Sequence, residues 1–321
     1  MKLGVFAVLL AQQSFEDACR YLSESGVQAI EIGTGGYPGN THCNPAELLG
    51  DPAGIARLQD TAGKYGLEIA ALSCHGNPVH PQKDLADAFH KDFVDTVLLA
   101  EKLGVNRVVT FSGCPGDHPG ARYPNWVTCP WPDDFQKILE YQWDDVLIPY
   151  WTKTAAFCLE HGVDKVALEM HPGFCVYNPE TLLRLRAATS PVVGANLDPS
   201  HLFWQGIDPV AAIRLLGPAI HYFHAKDTKI DEINSAKNGV LDTKHYSDEI
   251  NRGWLFRTIG YGHGYEVWND IFSNLRMVGY DDVVSIEHED SLMSVNEGLQ
   301  KAIAFLKQSM PFEKTGGMWW A

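Results

Sequence analysis

Short apolar runs alternate with amphipathic stretches along the whole 321-residue chain. The runs with strand character are KLGVFAVLL, VQAIEIG, LEIAALSCH, VNRVVTFSG, VDKVALEMH, PVVGANLDP, AIHYFHAKD and DDVVSIEHE. Between and after them come helical patterns such as SFEDACRYLSES, DLADAFHKDFVDTVLLAEKLG, NPETLLRLRAAT and SVNEGLQKAIAFLKQSM. Parallel strands need helical crossovers, so strict alternation of eight strands with eight helices predicts a closed (β/α)₈ barrel. An open doubly wound sheet fits less well, because no GxGxxG follows the first strand. Ser14, Asp84, Asn178 and Asp208 are expected helix N-caps, and Gly26, Gly104, Gly162 and Gly279 expected terminators. The expected organisation is one domain over residues 1–310 with a tail at 311–321.

Two segments exceed ordinary connectors: 114–133 after the fourth strand and 228–262 after the seventh. Loops that follow barrel strands gather at the C-terminal face, so both are expected to cap it.

Composition narrows the function. With Lys+Arg 25 against Asp+Glu 40, the net charge is −15 and no basic stripe offsets it, which excludes a nucleic-acid backbone as the natural partner. Seven scattered cysteines without a CxxC pair predict reduced thiols and a cytoplasmic setting. No apolar run approaches the length of a membrane span.

Strand parity locates the chemistry. Alternate side chains face opposite sides of a strand, so in KVALEMH Ala167, Glu169 and His171 oppose Val166, Leu168 and Met170. By the same count Asn196 and Asp198 share a face, as do Tyr222, His224 and Lys226, and Ser285, Glu287 and Glu289. Four successive strands thus end in Glu169, Asp198, His224 and Glu287, converging on one small volume. Three carboxylates so close would repel one another and raise their pKa values. A divalent cation removes that repulsion. The O₃N set favours Mn²⁺, with Mg²⁺, Co²⁺ or Zn²⁺ as alternatives. A metal holding a carbonyl and its neighbouring hydroxyl would stabilise the enediolate left when an α-proton departs, and a carboxylate would serve as base.

Carried by LEMHPG, NLDPSH, FHAKD and SIEHED, the chain resembles the xylose isomerase-like TIM barrels, the sugar phosphate isomerase/epimerase superfamily, over essentially its whole length. The resemblance implies Glu169, Asp198, His224 and Glu287 as ligands of one divalent metal, and His201 as a contact for substrate oxygens. In the ketose 3-epimerase branch the two metal-bound glutamates also move protons, which implies Glu169 and Glu287 as the catalytic pair. That branch has an arginine after the strand-seven histidine, where this chain has Lys226 and Lys229. The C-glycoside deglycosidase branch implies the alternative of eliminating a β-substituent from a 3-keto-glycoside. A homo-oligomer is expected in either case, and the deglycosidase branch would add a small second subunit. An apurinic endonuclease-like phosphodiesterase would need more histidine ligands and a basic face.

Further candidates for substrate contact are His75, His171 and Lys226. Lys226 could instead pair with Asp227. Glu31 is expected to give a supporting hydrogen bond, and His288 and Glu289 to lie outside the reacting centre. Trp126, Trp131, Trp143 and Trp204 could stack against a sugar or simply pack.

Overall fold

Eight parallel strands close into a barrel in the computed structural model, which describes residues 1–318 and Trp320. The strands are β1 (Lys2–Phe6), β2 (Ala29–Gly36), β3 (Glu68–His75), β4 (Arg107–Thr110), β5 (Lys165–Glu169), β6 (Val193–Leu197), β7 (Ile220–Ala225), β8 (Asp227–Ile230), β9 (Trp254–Arg257) and β10 (Val283–Ile286). The barrel runs β1-β10-β7-β6-β5-β4-β3-β2, and β8 and β9 form a separate antiparallel hairpin. The expected (β/α)₈ barrel is therefore what the chain forms.

The parity assigned from sequence matches the packing. Val166, Leu168, Met170, Val193, Ala195, Leu197, Phe223, Ala225, Val284 and Ile286 face the helices in the main core. Small residues on the other faces, including Ala29, Ala71, Val109 and Ala167, fill the barrel interior with Tyr222 and Val283. Fully burying one Val, Leu or Ile side chain of the main core is worth roughly 1.5–3 kcal/mol. At the end away from the site, Arg107 lies 4.9 Å over the Tyr222 ring and pairs with Asp282. The interior is a packed plug with its polar end uppermost.

Capping agrees at Ser14, Asn178 and Asp208, whose side chains accept from the amides of Asp17, Thr181 and Val210. It differs at Asp84, which lies inside the first turn of helix Lys83–Leu103. There its charge can favour the helix dipole without capping.

Residues 228–262 contain structure of their own, in helix Glu232–Asn238 and the β8–β9 hairpin. A small cluster of Trp204, Trp254 and Phe256 seats this insertion, with Trp204 and Trp254 stacked at 4.7 Å. Asp227 ties it down, accepting from the backbone amides of Thr228, Gly260, Gly262 and His263 and facing His263 Nδ1 at 2.8 Å. It shows no pairing with Lys226. Residues 311–318 and Trp320 follow the last helix, Val295–Ser309, without helix or strand. Trp319 and Ala321 of the expected tail lie outside the described residues.

Candidate active site

Ser285 of β10 stands beside His224 of β7, and Glu169 of β5 beside Asn196 of β6, in hydrogen-bonded register. By this register Glu287 lies two residues beyond the level of His224, and Asp198 two beyond that of Glu169. His224 is fully buried at the centre. Its Nε2 lies 3.0 Å from both oxygens of Glu31, and its Nδ1 lies 3.1 Å from Glu287 Oε2 and 3.4 Å from Glu169 Oε2. Glu31 is fixed in turn by Ser73 and by Ser285, whose hydroxyl donates at 2.6 Å.

This arrangement sets the chemistry of the ring. With Nε2–H given to Glu31, a neutral imidazole points its Nδ1 lone pair at two carboxylate oxygens. That contact is repulsive unless a proton or a cation lies between them. Burial favours the neutral ring, yet the charge of Glu31 and the bonds to Glu169 and Glu287 hold His224 well above the ordinary histidine pKa. Ligand atoms of Glu169, His224 and Glu287 lie within 4.8 Å of one another, a set able to hold a divalent cation. A second group, Glu169 with His171 and His201, meets the same spacing. Carboxylates that orient a metal-binding histidine typically contribute 10–100-fold in affinity. Glu31→Gln should therefore weaken divalent-metal binding by about that factor, read by competition against a chromophoric chelator.

Asp198 faces this centre across Lys226. Its Oδ1 accepts from the Ser200 amide at 2.9 Å. Its Oδ2 is buried without a hydrogen-bond partner, 3.1 Å from Lys226 Nζ and 3.4 Å from His201 Nε2 as ion-pair contacts only. Its charge is met by the Lys226 ammonium, the place a divalent cation would otherwise take. Lys226 Nζ also lies 2.9 Å from Glu287 and 3.1 Å from Glu289. Burial opposes its charge, but Asp198 and Glu287 hold the ammonium well above its usual pKa. Burial likewise pushes the Asp198 carboxyl up. Burial would also raise Glu169, but hydrogen bonds from His201, His224 and His75 prevail and hold it well below the usual carboxylate range.

Above these groups opens a cavity of about 240 Å³, lined among others by Phe6, Tyr37, His75, Phe111, Glu169, His171, Lys226, Glu287 and Glu289. His75, His171 and Lys226, the residues expected to contact substrate, lie on the cavity wall. His75 also sits 3.3 Å from Glu169 Oε2. Gly36, at φ +64°, lets the end of β2 turn against it: a Cβ there would stand 2.0 Å from the His75 carbonyl oxygen. His201 does not line the cavity; it is buried behind Glu169 with its Nε2 3.0 Å from Oε1. His171 faces the Pro172 carbonyl through Nδ1 at 2.6 Å, and burial lowers its pKa to about 3, so the ring is neutral at ordinary pH.

The aromatic cover differs from the expectation. None of the four tryptophans lines this cavity. Trp126 packs edge-on against Tyr177, Trp131 is exposed, Trp143 carries Arg184 over its ring, and Trp204 stacks on Trp254. The segment 114–133 is pinned aside by Gln142, which donates to the carbonyls of Pro115, Gly116 and Asn125. Its residues do not reach the cavity wall. Phe6 and Phe111, at the ends of β1 and β4, supply the cover instead. The strand-end rule that found the acids would have found them had it been applied to apolar residues.

The chain is 41% identical to YfiH of Bacillus subtilis (strain 168), a protein of uncharacterised function, over 97% of this chain and 99% of YfiH. It is 28% identical to the rhizopine catabolism protein MocC of Rhizobium meliloti, over 81% of this chain and 73% of MocC. An inosose dehydratase of Geobacillus kaustophilus (strain HTA426) matches at 27% over 48% of each chain. Among solved structures, the IOLI protein with a bound zinc atom superposes with TM-score 0.66 at 20% identity, covering 99% of this chain and all of that one. The probable 3-DHS dehydratase AsbF of Bacillus anthracis superposes at 0.63, with 20% identity over 96% and 99%. At these identities the structures establish the fold alone. The family model described as Xylose isomerase-like TIM barrel matches residues 19–309, and the chain belongs to that family.

Proposed function

We propose that this protein is a divalent-metal-dependent enzyme that removes a proton α to the carbonyl of a keto-sugar or a related cyclic polyol ketone. The observation that carries this reading is the meeting of Glu169 and Glu287 at His224 Nδ1, on the floor of a cavity large enough for one small polyhydroxylated ring. Glu169, Asp198, His224 and Glu287 would hold the cation, with Mn²⁺ favoured by the carboxylate-rich set. When bound, it supplies Lewis acidity to a carbonyl and its neighbouring hydroxyl.

The chain's own groups do the rest. Glu287 takes the α-proton, because parity turns it inward and it lies on the cavity wall. Glu169 enters from β5, three strands round the barrel from β10, and can deliver a proton from another direction. Lys226 places a fixed positive charge beside developing oxyanions in a site shielded from water. His75 and His171 orient hydroxyls. Reprotonation at the neighbouring carbon gives isomerisation, and reprotonation on the other face gives epimerisation. Departure of a β-substituent gives elimination, the reading favoured by the dehydratase among the relatives.

The deciding experiment measures exchange of the α-hydrogen with solvent across a panel of keto-sugars and inososes, after loading with Mn²⁺, Co²⁺, Mg²⁺ or Zn²⁺. Exchange that chelation abolishes is expected. Its absence with every metal and ketone would end the proposal. Because His224 carries a raised pKa without metal, cation binding at neutral pH must displace its proton. Titration calorimetry in buffers of different ionisation enthalpy should therefore show release of about one proton per ion bound, falling away at pH values above the His224 pKa.

A further inference from the structure

A second compartment adjoins the first. It measures about 390 Å³ and is lined by His171, Tyr246, Leu255, Phe256, Glu289 and Ser291. His171 and Glu289 belong to both walls, so the two spaces are neighbours at the rim of the proposed site. Phe256 stands at the junction: Lys226 Nζ lies 4.7 Å from its ring centroid, and His201 meets it edge-on at 5.4 Å. Tyr246 stacks on Phe256 with centroids 5.8 Å apart and planes 19° from parallel. Although half exposed, Tyr246 is held from behind by the buried guanidinium of Arg252, 4.4 Å from its ring. Arg252 is in turn fixed by the carbonyls of Lys244 and Trp254. An exposed Tyr246 so firmly seated on the buried Phe256 presents an aromatic face at little entropic cost.

From this we propose that the compartment is a subsite for a second ring carried by the substrate, an aryl or glycosyl substituent. The inference rests on the keto-sugar reading of the central site. The central cavity alone is smaller than the roughly 300–1,000 Å³ of drug-sized ligand sites, whereas the two joined fall within that range. The aromatic face comes from the insertion after β7, and the segment after β10 adds Glu289 and Ser291 to the wall. The substrate is then a two-ring glycoside, with its keto-ring beside Glu287 and its substituent against Tyr246 and Phe256.

Calorimetry on metal-loaded, full-length protein tests this with methyl β-D-glucopyranoside, phenyl β-D-glucopyranoside and cellobiose. The phenyl compound, cellobiose, or both should bind at least tenfold more tightly than the methyl glycoside, and which one does identifies the substituent. Tyr246→Ala removes the aromatic face and Ser291→Trp fills the space, both at exposed positions. Each should bring the affinity ratio down towards one. No gain over the methyl glycoside, no binding by any of the three, or a gain that survives both variants would overturn the subsite. Hydrogen exchange on one-ring ketones without a second-ring gain would refute the subsite and leave the enolising chemistry standing. A second-ring gain without exchange on any ketone would do the reverse.

Discussion

Glu287→Gln, saturated with divalent metal, should slow exchange of the substrate α-hydrogen with solvent by about 10²–10⁴, the usual contribution of a positioned carboxylate base. The variant keeps the shape of the side chain and one oxygen ligand, but loses the charge and the base. Glu289→Gln should retain most of the exchange. Glu289 follows the same parity, yet its side chain is half exposed and its contact with the centre runs through Lys226. Exchange isolates proton transfer from product release, so the two variants separate at the step that matters. Wild-type exchange in Glu287→Gln combined with loss in Glu289→Gln would move the base two residues along the chain.

Lys226→Met should cost about 3–5 kcal/mol of stability in metal-free protein, because it takes the ammonium from the buried carboxylate of Asp198 and leaves Glu287 with His224 alone. The sign follows from the pKa: a lysine raised on folding contributes its full stabilisation below its unfolded value, so the whole effect is present at neutral pH. A divalent cation supplies compensating charge to the same carboxylates. Urea unfolding with and without saturating Mn²⁺ should show a larger metal-dependent recovery in the variant than in the wild type. Equal recovery in both would mean that the cation and Lys226 do not share Asp198 and Glu287.

Much of the site was legible because barrels obey two short-range rules. Side chains alternate along each strand, and strand ends converge. These rules suffice to bring Glu169, His224 and Glu287 together, and to put Asp198 beside them. They also predict the inward face of β7, with Tyr222, His224 and Lys226 on one side. Long-range pairing is a different matter. The clasp of Glu31 on His224 joins residues 193 positions apart, and nothing local in VQAIEIG distinguishes a clasp from a strut. Lys226 next to Asp227 reads as an ion pair in sequence. In the fold successive strand residues face opposite sides, so Lys226 turns inward to Asp198 and Glu287 while Asp227 anchors the insertion.

The aromatic-rich segment after β4 shows the limit of composition. Tryptophan and proline there suggested a cover for substrate, but backbone carbonyls captured by Gln142 hold that segment at the periphery. The four-residue strands of the hairpin were too short for a period to register, and they place Phe256 at the edge of the site. The order of strands and the inward residues were thus set by the sequence itself, because backbone geometry imposes a period of two and parallel pairing demands crossovers. Which inward groups share a proton, which cation faces which carboxylate and which ring walls the cavity were decided only in the tertiary structure. Those contacts depend on closure of the barrel, which brings distant segments within a few ångströms in a way that no local pattern encodes.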